Sequence, residues 1–100
     1  MDQNEAIAKV KQFAALLPDY INYEGVYVFG SFASGLQKTD SDIDVAIVVN
    51  EAGDDYFTVI PLLWKLRRQI NERIEPILVE RQHDPAGFLQ IVQQTGLRVA

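Results

Sequence analysis

Apolar side chains recur every third or fourth position in three stretches of the chain, which is the spacing of an amphipathic helix. The apolar positions are Ile7, Val10, Ala14 and Leu17, then Val59, Leu63, Leu66 and Ile70, then Phe88, Leu89 and Val92. We predict helices over Asn4–Leu17, from Asp54 or Asp55 to about Ile70, and from Pro85, capped by Asp84, to near Gly96. Pro61 inside the second helix is tolerated best if a new helical segment begins there.

Three shorter runs rich in Val, Ile and aromatic residues predict β-strands. They cover Val26–Phe29, Ile43–Val49 and Arg73–Glu80. Beyond Asp44 the second run is apolar at every position, which is typical of a central strand covered on both faces. Pro76 within the third run indicates an edge strand or a bulge. The order helix, strand, strand, helix, strand, helix predicts an α/β (α+β) domain with a small mixed sheet flanked by helices.

Length and composition narrow the class of protein. With 100 residues we expect one domain spanning residues 1–100. The absence of cysteine excludes disulfides, thiolate zinc sites and cysteine nucleophiles. A net charge of -5 argues against binding duplex nucleic acid by bulk attraction. No run approaches the roughly 18 apolar residues of a membrane span, and the polar N-terminus is unlike a signal peptide, so we expect a cytoplasmic protein.

The segment between the first two strands, GSFASGLQKTDSDID from Gly30 to Asp44, carries the candidate chemistry. Asp42 and Asp44 are two positions apart, so an extended backbone turns both side chains to the same face. Two like charges on one face are unfavourable unless a cation lies between them. Such hard oxygen ligands suit Mg²⁺ or Mn²⁺ together with phosphate oxygens. Gly30 and Ser31 can offer backbone N–H groups and a hydroxyl to a phosphate, so the segment indicates phosphoryl or nucleotidyl transfer.

The same segment imitates two other motifs, and each fails at a position that the motif requires. Gly30 and Gly35 have the spacing of a P-loop, but Leu36 and Gln37 stand where that motif needs Lys and Ser or Thr. The acidic positions of an EF-hand loop are matched by Asp40, Asp42, Asp44 and Glu51. Val45, however, stands where the calcium loop needs Gly for its sharp turn. We therefore set both motifs aside.

Gly30 and Ser31, followed after ten residues by Asp42 and Asp44, resemble the signature of the minimal nucleotidyltransferase family. This family lies within the DNA polymerase β nucleotidyltransferase superfamily, and the resemblance extends over most of the chain. It implies that Gly30 and Ser31 hold the triphosphate of a nucleotide and that Asp42 and Asp44 bind metal ions. It also implies a third carboxylate on a later strand, and Glu75 matches that position, although many members carry Asp there.

The resemblance implies a reaction as well as a site. We expect transfer of a nucleoside monophosphate, AMP from ATP, to an acceptor hydroxyl, with two Mg²⁺ ions, or Mn²⁺, bound by Asp42, Asp44 and Glu75. Glu75 would also help to activate the attacking hydroxyl. Glu80 is the alternative third carboxylate, but five positions later on a regular strand it faces the opposite side.

Partners are expected because larger enzymes of the superfamily carry a further domain that helps to hold the base or the acceptor. In 100 residues we expect no such domain, so the missing elements would come from another chain or from self-association. The resemblance implies a HEPN-domain toxin as partner, neutralised when AMP is added to one of its tyrosines. Two alternatives of another class stay open: an antitoxin that binds its partner without turnover, and a nucleotide sensor.

Four basic residues, Lys65, Arg67, Arg68 and Arg73, form a cluster in an otherwise acidic chain. The simpler interpretation is a solvated helix face, and the sharper one is a surface that docks a partner. His83 is the only histidine and lies beside a predicted helix start, so we expect it to be a surface residue rather than a catalytic base.

Overall fold

The computed structural model describes all residues from 1 to 100 and contains four α-helices and four strands. In chain order they are α1 (Gln3–Leu16), β1 (Gly25–Phe29), α2 (Ser31–Ser34), β2 (Ile43–Val49), α3 (Tyr56–Leu66), β3 (Ile74–Glu80), α4 (Phe88–Thr95) and β4 (Leu97–Arg98). Single 3-10 turns at Leu17–Asp19, Gly53–Asp55 and Arg67–Gln69 extend α1 and flank α3. None of the helices has the length and hydropathy needed to cross a membrane.

The strands form one mixed sheet in the order β3-β2-β1-β4. β1 is antiparallel to β2 and β4, whereas β2 and β3 run parallel. A parallel pair needs a crossover on one face of the sheet, and α3 supplies it. The predicted small mixed sheet flanked by helices is confirmed. β4 was not predicted, because Leu97 and Arg98 alone pair with β1 and two residues are too few to show a strand pattern.

β2 is an interior strand covered on both faces, as its continuous apolar run predicts. On one face, Val45 and Ile47 pack in a hydrophobic cluster shared with α1 and α3. On the other, Ala46 and Val48 pack in a smaller cluster with α4. We call this second side the α4 face. Because side chains alternate along a strand, Asp44 lies on the α4 face.

β3 is an edge strand, which decides between the two possibilities that Pro76 left open. Arg81 N–H donates to the Val49 carbonyl at 2.8 Å, and the Arg73 carbonyl accepts Ile43 N–H at 2.7 Å. Odd-numbered residues of β3 therefore turn their backbone groups towards β2. The backbone nitrogen of Pro76, at an even position, points away from β2, where no ladder partner needs an N–H group, although the residue itself is buried. A proline there also hinders another strand from adding to this edge.

α4 begins at Phe88 rather than at Pro85, so the predicted start was wrong. The N-cap residue is Gly87 rather than Asp84, but the two carboxylate oxygens of Asp84 still accept the N–H groups of Phe88 at 3.0 Å and Leu89 at 2.8 Å at the start of the helix. Pro85 lies in a turn that Gly87 closes by donating to the Asp84 carbonyl at 3.1 Å. Gly87 has a φ of 68°, which interrupts the helix between Asp84 and the first helical residue.

α3 is continuous through Pro61, without a new helical segment at that residue. Pro61 is exposed, and Phe57, four residues earlier, is 84% exposed. The carbonyl that loses its helical partner therefore lies on the solvent side of the helix, where water can satisfy it.

Candidate active site

The turn between β1 and α2 has a backbone conformation that requires glycine. Gly30 has φ 70° and ψ -146°, a region that residues with a Cβ atom essentially do not enter. Its carbonyl accepts the N–H groups of Ala33 at 3.1 Å and Ser34 at 3.2 Å, which closes the single turn of α2. Ser31 is thereby held as the first residue of α2.

Contacts outside the turn keep α2 in place. Phe32 is 1% exposed and belongs to the larger hydrophobic cluster. Its carbonyl accepts a hydrogen bond from Nε2 of Gln3 at 2.8 Å, which ties α2 to the start of α1. Gly35 ends the helix with a φ of 77°, a common left-handed helix end. A single helical turn has little stability of its own, so these contacts position Gly30 and Ser31.

The predicted carboxylates lie at one end of the sheet, on the α4 face. Asp44 is the direct partner of Phe29 in β1 and of Glu75 in β3, so Asp44 and Glu75 lie side by side. Asp42 lies two residues before Asp44, just ahead of β2, and close enough to Asp44 and Glu75 for its charge to act on both. Gly30 lies against the Asp44 carboxylate. The structure thus brings together the glycine turn and the carboxylates, which are separated by long stretches of sequence.

Burial and neighbouring negative charges raise the pKa values of Asp44 and Glu75. Burial raises the pKa of Asp44 above its ordinary value of 3.8, and the charge of Asp42 raises it further. Burial also raises the pKa of Glu75 above 4.5, the charges of Asp42 and Asp44 add to this rise, and the positive charge of Arg67 opposes it. A cation bound between such groups relieves their repulsion, so the electrostatics of the site favour cation binding.

The donor set suits Mg²⁺ by its chemistry, although no three acidic or histidine side chains are arranged to hold a metal ion. Mg²⁺ prefers carboxylate oxygens and is commonly bound by one or two of them together with substrate phosphates. Asp42 and Asp44 are such a pair, and Glu75 lies next to Asp44 on the neighbouring strand. A third protein ligand would therefore require a side chain to reorient.

Arg73 connects the start of β2 to α2, a role that was not predicted. Its Nε donates to the Ser41 carbonyl at 3.0 Å, and Nη2 donates to the same oxygen. Its guanidinium carbon lies 6.0 Å from the centre of the Phe32 ring. Its own carbonyl accepts Ile43 N–H at 2.7 Å. Because Ser41 directly precedes Asp42, Arg73 restrains the backbone that carries this carboxylate.

Arg67 turns back towards β3 instead of extending into solvent. Its Nη1 donates to the carbonyls of Glu72 and Ile74, the latter at 3.3 Å. Its guanidinium carbon lies 4.5 Å from the centre of the Trp64 ring. The Ile74 carbonyl is on the outer edge of β3, so Arg67 satisfies a backbone group there while its charge acts on Glu75.

The predicted basic cluster is therefore divided between two surroundings. Arg67 and Arg73 bond to backbone beside the carboxylates, whereas Lys65 and Arg68 remain exposed. A single solvated or docking face made of all four residues is not observed. The sequence signal that could have shown the role of Arg73 was its position, two residues before Glu75 at the start of the predicted third strand.

Glu80 and His83 lie at the other end of β3. Oε2 of Glu80 accepts Ala52 N–H at 3.0 Å, and the residue is aligned with Val49 rather than with Asp44. Glu80 is therefore not the alternative third carboxylate. His83 N–H donates to the Glu80 carbonyl at 3.2 Å while the residue is exposed, as expected of a surface histidine.

The two cavities of the chain lie away from the carboxylates, at the carboxyl ends of β2 and β3. Each has a volume of about 630 Å³. Neither is lined by Asp42, Asp44 or Glu75. The candidate site therefore lies outside both cavities, at the opposite end of the sheet, where Asp42 is exposed and Asp44 and Glu75 are half-buried.

Comparison with known proteins agrees with this geometry. Residues 11–99 match the family described as polymerase beta, nucleotidyltransferase. The match includes the glycine turn and all of the predicted carboxylates. The chain belongs to the polymerase beta nucleotidyltransferase family. It is a nucleotidyltransferase, and the prediction of this enzyme class is confirmed.

Two solved structures share the polymerase beta nucleotidyltransferase fold. A candidate nucleotidyltransferase from Sulfolobus solfataricus is 22% identical, with a TM-score of 0.69, and the match covers 96% of this chain and 80% of that chain. A toxin–antitoxin structure with AMP-PNP is 22% identical, with a TM-score of 0.59, covering 100% of this chain and 73% of that chain. Comparison with curated proteins gave no match. At this level of identity the likeness shows the fold.

Proposed function

We propose that this chain is a Mg²⁺-dependent nucleotidyltransferase that transfers AMP from ATP to an acceptor hydroxyl. The observation that carries the proposal is the meeting of Gly30 and Ser31 with Asp42, Asp44 and Glu75 at one end of the sheet. Nucleotidyl transfer needs a place for the triphosphate next to carboxylates that bind metal. The AMP-PNP in the toxin–antitoxin structure of the same fold supports ATP as the nucleotide.

The proposed reaction forms one bond and breaks one bond at the α-phosphorus of ATP. The acceptor oxygen attacks this phosphorus, its bond to the oxygen that bridges to the β-phosphorus breaks, and pyrophosphate leaves. Glu75 is the carboxylate that we assign to receive the hydroxyl proton, because it lies beside Asp44 on the neighbouring strand, next to the place proposed for the metal ions. The backbone N–H groups after Gly30 and the hydroxyl of Ser31 would hold the departing phosphates.

The metal ions would be held by Asp42 and Asp44, with Glu75 completing the second of two sites. When bound, Mg²⁺ neutralises charge on the phosphates and lowers the pKa of the acceptor hydroxyl. The raised pKa values of Asp44 and Glu75 support this assignment, because burial raises them first, the charge of Asp42 adds to the rise, and a cation relieves that repulsion. Mn²⁺ has the same preference for oxygen ligands and is expected to substitute.

We further propose that the acceptor is a tyrosine of a HEPN-domain toxin, which this chain neutralises as an antitoxin of the minimal nucleotidyltransferase type. The fold shared with the toxin–antitoxin structure supports this role. Asp42 is exposed and Asp44 and Glu75 are only half-buried, so a side chain of another protein could approach the carboxylates. The single domain over residues 1–100 and the cytoplasmic location stay predictions.

The experiment that tests the proposal follows the label of ATP. The chain is incubated with Mg²⁺, the product of the neighbouring gene and ATP labelled at the α-phosphorus, and mass spectrometry locates the added AMP. We expect label on a partner tyrosine, and none when the γ-phosphorus carries the label. Asp42→Asn and Asp44→Asn should abolish transfer. Asp40→Asn changes an exposed residue of the same loop in the same way and should leave it intact.

Other outcomes would favour the alternatives. Undiminished neutralisation of the partner by the Asp42→Asn and Asp44→Asn variants, with no label moved by any form, would overturn the proposal in favour of a partner-binding antitoxin. Binding of ATP without any product, with or without the partner, would indicate a nucleotide sensor instead.

A further inference from the structure

The solvent side of α3 carries an apolar stripe, which we call the α3 stripe and define as Phe57, Pro61 and Trp64. With the flanking turns, the helical run extends over Gly53–Gln69. Phe57, Pro61 and Trp64 follow one another at spacings of four and three, which places them on one side of the helix. Phe57 is 84% exposed, Trp64 is 37% exposed and Pro61 is exposed. Large apolar side chains in such a row are typical of a contact surface.

Opposite charges lie at the two ends of the α3 stripe. Asp54 precedes Phe57 by three residues and Arg68 follows Trp64 by four, so both continue the same side of the helical run. Both residues are exposed. The structure contains one ion pair, between Arg81 and Glu24, so neither Asp54 nor Arg68 has a partner within the chain. An acid at the start and a base at the end also suit the helix dipole, but the dipole does not explain the apolar side chains between them.

We propose that the α3 stripe is a two-fold interface on which a second copy of this chain docks, with the two α3 helices antiparallel. A two-fold contact uses the same patch on both copies, so the patch must be complementary to itself. Asp54 and Arg68 lie equally far from Pro61 along the sequence. Antiparallel helices that cross near Pro61 therefore place Asp54 of each copy opposite Arg68 of the other. Phe57 of each copy then lies beside Trp64 of the other.

Charge is the reason to choose a second copy as the occupant. A partner surface of uniform charge would meet a like charge at one end of the α3 stripe, which disfavours it. The pairing is also compatible with catalysis, because α3 packs on the side of the sheet opposite the α4 face that bears the carboxylates. The proposal does not depend on the proposed substrate.

Sedimentation velocity of the full chain, from about 1 to about 300 µM, tests the proposal in the range where a small interface dissociates. We expect a concentration-dependent dimer. Phe57→Ser should weaken it at least about thirtyfold, because a central aromatic anchor is lost. Ile91→Ser is the matched control, since Ile91 is 52% exposed on α4, outside the stripe, and it should leave the dimer unchanged.

A charge exchange tests the antiparallel register. Asp54→Arg alone and Arg68→Asp alone should each weaken the dimer about tenfold, because each places like charges opposite one another. The double variant should return to within about threefold of the wild type, because the swapped charges again pair. Within one chain the two residues are about 21 Å apart at the helical rise, so only contact between copies explains such a rescue.

Three results would overturn the proposal: a wild-type chain that stays monomeric over the whole range, a dimer that Phe57→Ser does not weaken, or a double variant without rescue. All variants change exposed residues and should melt within about 3 °C of the wild type, which excludes misfolding as the cause. A monomeric wild type whose binding to another protein is lost in Phe57→Ser would assign the α3 stripe to a different partner.

Discussion

Gly30 and Asp44 approach as closely as they do because Gly30 has no side chain. A Cβ atom on Gly30 would overlap Oδ2 of Asp44 and would lie 3.3 Å from its Cγ. The φ of Gly30, 70°, independently requires glycine. The turn that leads to Ser31 and the carboxylate of Asp44 therefore meet at this point.

Gly30→Ala is expected to damage both the site and the fold. The new Cβ atom must displace the Asp44 carboxylate, and a displacement of about 1 Å is enough to lower transfer about hundredfold. The left-handed backbone adds a destabilisation of about 1–3 kcal/mol. The loss of activity is measured by label transfer from ATP, and the loss of stability is measured by unfolding in urea.

Gly87→Ala is the matched control for strain. Gly87 has a φ of 68°, but a Cβ atom there would meet no atom within 4 Å. We expect a loss of about 1–2 kcal/mol in the free energy of unfolding with unchanged transfer. Equal losses of transfer in the two variants would show that strain, rather than contact with Asp44, is responsible.

Glu75 is expected to be essential, in contrast to Glu80 on the same strand. Glu75→Gln should lower kcat about 10²- to 10⁴-fold, because it removes a carboxylate from the reacting centre. Glu80→Gln should keep kcat and weaken only the hydrogen bond from Ala52 N–H, at a cost of at most about 1 kcal/mol. Steady-state kinetics and thermal melts compare the two. Wild-type kcat in Glu75→Gln would contradict its assignment.

The free energy of unfolding should depend on pH through Asp44 and Glu75. Both have raised pKa values in the folded chain, so just above their ordinary values of 3.8 and 4.5 the folded chain binds more protons than the unfolded chain. Their contribution is therefore most favourable below these values and is lost as pH rises through the folded-state pKa values. Asp44→Asn should reduce this loss, measured by urea unfolding in a chelator across the acid range.

Asp40→Asn is the control for the pH dependence, because Asp40 is exposed in the same loop. It should reproduce the wild-type change of unfolding free energy with pH. If Asp44→Asn also keeps the wild-type change of unfolding free energy with pH, the pKa of Asp44 is not raised in the folded chain.

The site was predictable where it depends on local geometry. The two-residue alternation of a strand is enough to place Asp42 and Asp44 on one face. The same alternation separates Glu75 from Glu80, and the register of β2 and β3 agrees, since Asp44 pairs with Glu75. The spacing between the glycine turn and these carboxylates was informative only through the resemblance to the minimal nucleotidyltransferase signature.

Features that depend on contacts between distant segments were not predictable. β4 exists because β1 offers it a free edge, and Leu97 and Arg98 carry no strand pattern of their own. The start of α4 depends on the Asp84 carboxylate reaching over a turn to Phe88 and Leu89. No local signal in the sequence distinguishes this arrangement from an ordinary N-cap directly before the helix.

Arg73 is the clearest such case, because its partner Ser41 lies 32 positions earlier. If Arg73 positions Asp42 by holding the Ser41 carbonyl, Arg73→Ala should lower kcat by at least about tenfold and weaken Mn²⁺ binding. Arg73→Lys should restore part of both, since an ammonium can still donate to that oxygen. Isothermal titration with Mn²⁺ separates this effect from a change in acceptor binding.

Arg98 offers a matched control for the structural part of this effect. It too donates to backbone carbonyls, of Ala100 at 3.0 Å and Glu24 at 2.9 Å, and lies 6.0 Å from an aromatic ring, that of Tyr27. Arg98→Ala should therefore also cost stability, about 0.5–1.5 kcal/mol because its hydrogen bonds are exposed, while kcat and Mn²⁺ affinity stay at wild-type values. Equal losses of kcat in the two variants would show that Arg73 only stabilises the fold. A loss confined to Arg73→Ala would mean that the residue just before β3 positions Asp42, the carboxylate just before β2, while β3 itself contributes Glu75.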